Sequence, residues 1–190
     1  MSPARSYPEE TAGPFRPPPE TLTDQAGVRV HIEQLPTPTG DDLERLVTMY
    51  DAFDPADRAQ GIPPIRPDDI RAWLELVLTE GIDVIARRGD EVVGHATLVP
   101  DDVDGYELAI FVHQDHRRQG IGSALVRGLL GAAADAGIER IWLTVERWNH
   151  RAISLYESVG FRPTRRGRFE LEMVIRLPCS DSEDRSTRVE

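Results

Sequence analysis

The sequence predicts one mixed α/β domain, a mixed central sheet flanked by helices in the order strand-helix-helix-three strands-helix-strand-helix-strand. Three observations carry this. The chain has 190 residues with 39% hydrophobic content, long enough for one well-buried core and too short for two large ones. Apolar residues recur at every second position in some stretches and at helical spacing in others. Glycine and proline punctuate the joins, and no internal repeat is visible.

Val28, Val30 and Ile32 alternate with polar neighbours, which predicts a first strand. Residues 41–53 carry Leu43, Leu46, Val47 and Tyr50 at helical spacing, with acidic residues in the first turn. Residues 54–66 contain Gly61, Pro63 and Pro64 and predict a loop. Helical spacing resumes over 67–79 through Ile70, Trp73, Leu74 and Val77, and Pro67 suits a first helical turn. Strands over 82–87 and 91–99 flank Arg88-Gly89-Asp90, a hairpin turn. The apolar run 106–112 predicts a central strand. A helix over 122–136 ends at Gly137, and a strand over 138–145 follows. Residues 149–159 form a helix stopped by Gly160, and an alternating strand over 168–177 closes the domain.

Residues 1–26, rich in Pro, Glu, Ser and Thr and including Pro17-Pro18-Pro19, are expected to be a disordered tail. The domain then covers 27–178, and the polar segment 179–190 is a second loose tail. There are 33 acidic and 22 basic residues, all of the latter arginine, for a net charge of −11. This balance excludes a general nucleic-acid binder and a polybasic membrane anchor. The lack of lysine excludes Schiff-base chemistry and a Walker phosphate loop. A single cysteine, Cys179, excludes intrachain disulfides and cysteine-rich zinc sites. No apolar run reaches membrane-span length and no signal peptide is evident, so a cytoplasmic location is expected. Acidity with arginine in place of lysine fits either a GC-rich genome or adaptation to high salt.

The most informative stretch joins strand to helix: Ile110-Phe111-Val112-His113-Gln114-Asp115-His116-Arg117-Arg118-Gln119-Gly120-Ile121-Gly122-Ser123. Unpaired N–H groups at a helix start, together with its dipole, form an anion site. Gly120 and Gly122 let a phosphate approach the backbone, and Arg117 and Arg118 add positive charge. A dinucleotide fingerprint would want a third glycine where Leu125 stands, which leaves a pyrophosphate cradle of another kind.

In these residues the chain resembles the GNAT superfamily of acyl-CoA-dependent N-acyltransferases. Arg117, Gly120 and Gly122 match its phosphate-turn signature. Leu143-Thr144-Val145 followed by Asn149, Ala152, Leu155, Tyr156, Gly160 and Phe161 matches its second block. Gln114 departs from it, since many relatives carry proline there. The resemblance implies a GNAT-type fold and a transferase that moves an acetyl group from acetyl-CoA to a primary amine by direct attack. The turn Arg117, Arg118, Gln119, Gly120, Ile121, Gly122 and Ser123 would hold the pyrophosphate. The backbone of Ile110 and Val112, with Asn149, would hold the pantetheine arm. Tyr156 would protonate the leaving thiolate, and Glu107 or an ordered water would take the proton from the amine. Two alternatives stand beside this: a non-catalytic acyl-CoA-binding or regulatory module, and a protein-lysine acetyltransferase.

The expected partners are acetyl-CoA and an amine acceptor, with a homodimer admitted and with nucleic acid, membrane and metal excluded. His113 and His116 belong to a solvated or phosphate-facing turn, and His31, His95 and His150 to ordinary surface or strand positions. The loop 54–66, with Asp54, Asp57 and Arg58, is the expected acceptor wall. Phe53 and Trp148 are set against either that wall or the core.

Overall fold

A computed structural model describes residues 5–54, 63–101 and 105–179. The loop residues Asp57 and Arg58 and the segment 180–190 lie outside them. The elements are β1 (Glu20–Thr23), β2 (Arg29–Gln34), α1 (Gly40–Asp51), α2 (Pro67–Glu80), β3 (Ile82–Arg88), β4 (Glu91–Asp101), β5 (Gly105–Val112), α3 (Ile121–Asp135), β6 (Arg140–Glu146), α4 (His150–Ser158), β7 (Arg162–Arg166) and β8 (Glu170–Arg176). The strands form one mixed sheet in the order β1-β2-β3-β4-β5-β6-β8-β7. All pairs are antiparallel except β5–β6. Among the described residues no helix is long and apolar enough to cross a membrane.

The ten expected elements are present with boundaries shifted by a few residues, and the predicted class, a mixed sheet flanked by helices, stands. Local chemistry sets the ends. Thr39 and Asp42 form a capping box at α1, and Pro67 opens α2. On one face, α1 and α2 enclose Leu46, Tyr50, Phe53, Ile70, Leu74 and Ile85. On the other, α3 and α4 pack over the larger core, which includes Leu125, Leu129, Leu143, Tyr156 and Phe161.

The expected loose tail over 1–26 is corrected for its described part. Residues 20–23 form β1, paired with β2 across a turn in which Asp24 accepts from the N–H groups of Ala26 and Val28. Residues 5–19 form a strap whose 16–18 end lies against α3 and whose Arg5 end lies over the Trp142 ring. A Cβ at Gly131 would overlap the backbone of Arg16 and Pro17, so only glycine lets the strap lie there. Ala12 donates its N–H to the Arg176 carbonyl at 2.8 Å, and Phe15 packs on the larger core. Proline restricts the chain before folding, so this segment packs with little periodic apolar content.

Candidate active site

The site begins where β5 and β6 part. Their parallel pairing consists of Tyr106 with Ile141 and Glu107 with Trp142, and it stops there. Beyond it, β5 stays paired with β4 through Val112. The His113 N–H bonds to the Val93 carbonyl at 3.0 Å, so by strand alternation the backbone groups of Phe111 also face β4. Those of Ile110 and Val112 therefore face the gap. The Val112 carbonyl accepts from Arg117 Nε at 3.1 Å, which seats that arginine against the strand end.

The turn that follows is held in an unusual backbone. Arg118 has φ 63° and Gly120 φ 84°, both left-handed. Gly120 caps α3 without a side-chain bond, and the first N–H to turn back is that of Ala124, onto Gly120 O at 3.1 Å. The N–H groups of Ile121, Gly122 and Ser123 thus open the helix without a side-chain cap, at the positive end of its dipole. A Cβ on Gly122 would lie 3.7 Å from Leu155 Cδ2 and 3.7 Å from Val112 Cγ2. The turn, the strand end and α4 consequently meet at one place. In the same turn Gln119 Oε1 is buried without a hydrogen-bond partner among the described residues.

Gln114, the departure from the resemblance, braces the turn through its side chain. Its Nε2 donates to the Ala52 carbonyl at 2.8 Å and its Oε1 accepts from the Asp54 N–H at 3.4 Å, tying the turn to the end of α1.

Tyr156 is 7% exposed, its ring edge-on to Phe161 at 5.7 Å, and burial raises its hydroxyl far above the ordinary phenol range. Asn149 caps α4, its Oδ1 accepting from the Ala152 N–H at 3.1 Å, which leaves its NH2 for another partner. Glu107 belongs to the opposite sheet face from Tyr156. Much of its surface is open, yet burial raises its carboxyl above the usual range; Arg5 opposes the shift and Asp101 adds to it. Acid and base candidates thus stand on two sides of the sheet, the base at the last rung before the gap.

Other expectations divide. Phe53 is core, stacked with Tyr50 and edge-on to Phe111 and His113, whereas Trp148 is 59% exposed. His113 and His116 lie with ring centroids 5.9 Å apart, and no group of three metal-ligating side chains gathers among the described residues. His95 is a strand residue but fully buried: its Nδ1 lies 2.7 Å from the Tyr50 hydroxyl and its Nε2 2.9 Å from Asp83 Oδ1. Sequence reading also passed over Arg5, which sits over the Trp142 ring beside Glu107. The Pro-rich surroundings of Arg5 gave no sign of it.

A gap between parallel strands, an uncapped glycine turn and a helix brought against both are joined by a match in sequence. The pattern of the acetyltransferase (GNAT) family matches residues 46–161, and the chain belongs to that family. It is 39% identical over 92 residues to the [ribosomal protein bS18]-alanine N-acetyltransferase of Escherichia coli K12, covering 44% of this chain and 60% of that protein. The chain thus spans about 60% of the length of that curated relative. In structure it resembles the GNAT domain of S. lividans PAT, with TM-score 0.67 and 20% identity over 84% of this chain and 97% of that one. It also resembles yncA from Salmonella typhimurium, solved with its cofactor acetyl-CoA, with TM-score 0.62 and 21% identity over 78% and 94%.

Proposed function

We propose that this protein is an N-acetyltransferase that moves the acetyl group of acetyl-CoA to a primary amine by direct attack. The observation that carries this is the convergence of the α3 start, the parted end of β5 and the α4 helix at Gly122. These residues fit an acyl-CoA. Backbone donors and Arg117 suit the pyrophosphate, and the gap-facing backbone of Ile110 and Val112 suits the amides of a pantetheine arm, with Asn149 beside it. When bound, acetyl-CoA supplies an activated thioester carbonyl.

The chain's own residues then have three tasks. Glu107, with its pKa raised, accepts a proton from the incoming ammonium directly or through water, which frees the amine lone pair. The N–H groups facing the gap polarise the carbonyl oxygen. Tyr156, held protonated by burial, donates to the departing sulfur. The carbon–nitrogen bond forms as the carbon–sulfur bond breaks, the second nitrogen proton passes through water to restore the Tyr156 hydroxyl, and the products are an amide and a free thiol. No enzyme nucleophile is needed.

The test is thiol release from acetyl-CoA across a panel of small and peptidyl primary amines. Release that depends on one of these amines is the expected result. Binding of acetyl-CoA with no release for any amine would overturn transfer in favour of an acyl-CoA-binding module.

A further inference from the structure

We propose that Trp142, Asp101 and Glu172, beside Glu107, form a binding site for a guanidinium or alkylammonium group of the acceptor, and that Arg5 fills it in cis until an acceptor displaces it. This rests on the transfer reading for the acceptor's role, but the site itself is a matter of binding.

The geometry is that of a cation box. The Arg5 guanidinium carbon lies 3.5 Å from the centroid of the Trp142 ring. Its Nη1 donates to Asp101 Oδ2 at 2.6 Å, and its Nε lies 3.4 Å from Glu172 Oε2. The side chains of Arg5, Asp101 and Glu172 are only 13%, 17% and 20% exposed, so the charges meet in a partly dry place.

Strand register places this box at the proposed reaction centre. Trp142 is the partner of Glu107 in the parallel pair, and Glu172 is the partner of Thr144, two residues further along β6. Asp101 lies two residues beyond Val99, the antiparallel partner of Glu107. By alternation all four side chains share the face away from α3 and α4. A cation seated there brings its carrier to the mouth of the β5–β6 gap. Neutral acceptors gain nothing from it, so the box selects amines that carry a second positive group.

The occupant arrives on a displaceable carrier. Ser6, Glu9 and Glu10 are exposed, residues 5–19 form no strand, and the strap's bond to β8, from the Ala12 N–H to the Arg176 carbonyl, lies seven residues along from Arg5. Lifting Arg5 therefore breaks ionic and ring contacts without disturbing a strand. The strap's anchorage at Gly131 lies on the other face, which gives a second, remote handle on the same site.

The probe is agmatine, a guanidinium joined to a primary amine, titrated without acetyl-CoA by calorimetry. Arg5→Ala should bind it about ten-fold or more tighter than wild type, and adding Glu172→Gln should abolish the gain. Gly131→Ala, which displaces the strap without altering the box, should show a gain of the same sense. Equal affinity in wild type and Arg5→Ala, or a gain that survives Glu172→Gln, would overturn the proposal. If agmatine binds as expected while no amine supports thiol release, the box stands and the transfer reading falls.

Discussion

Glu107 and Tyr156 are tuned in the same direction, with different consequences. A phenol whose pKa is raised stays protonated throughout the physiological range and remains a donor. A carboxyl whose pKa is raised gains its charge later as pH climbs, so the base proposed at Glu107 would act only above the ordinary carboxylate range. With a saturating acceptor, kcat should therefore fall as pH drops through the raised Glu107 value. Glu107→Gln should lower the neutral-pH rate by about 10- to 100-fold and remove that limb from the pH–rate profile. The stability sign runs the other way. A carboxyl with a raised folded pKa favours the fold most below its unfolded value, and that contribution is lost as pH rises through the folded one. Glu107→Gln should thus melt slightly higher than wild type at pH 7, with the difference gone below pH 4. A slower variant that also melts markedly lower would make Glu107 a structural residue.

At the scale of elements, function depends on what glycine leaves open. The space over Gly122 is bounded by Leu155 and Val112 at ordinary contact distance, so a single methyl fits. A branched side chain would project further, into the room between the strand end and α4. Gly122→Ala should keep CoA affinity near wild type, and Gly122→Val should weaken it by about ten-fold or more in calorimetry. Wild-type affinity in the valine variant would place the phosphate site elsewhere. The elements that sequence reading overlooked share a cause. β1 has Leu22 as its sole apolar residue, and every residue of β7 is exposed, so neither offers an alternation to read. The turn Asp24-Gln25-Ala26-Gly27 was the available signal for the first hairpin, with Gly27 at φ 77°. In β7, Arg162, Arg165 and Arg166 line an edge strand, where charge discourages pairing with another chain.

Taken as a molecule, the chain divides into what periodicity reveals and what only tertiary contact creates. The core elements and the glycine turn were legible because burial and anion geometry dictate their residue types locally. The strap and the box around Arg5 were not, since they join positions 96 residues apart through charges that any solvated surface also carries. The buried Tyr50–His95–Asp83 chain is of the same kind, built from three separate elements. The net charge of −11 acts on the whole surface: in dilute buffer the carboxylates repel one another, and at 1 M salt screening shortens to roughly 3 Å. The Tm should accordingly rise between dilute buffer and 1 M KCl, and a flat profile would leave genome composition as the reason for the acidity. Transfer at a centre shared by β5, α3 and α4 is tested most directly by Tyr156→Phe, which removes one hydroxyl and leaves the ring in the core. The expected result is kcat lower by about 10- to 1000-fold with CoA affinity unchanged. Wild-type turnover in that variant would contradict it and reduce Tyr156 to a packing residue.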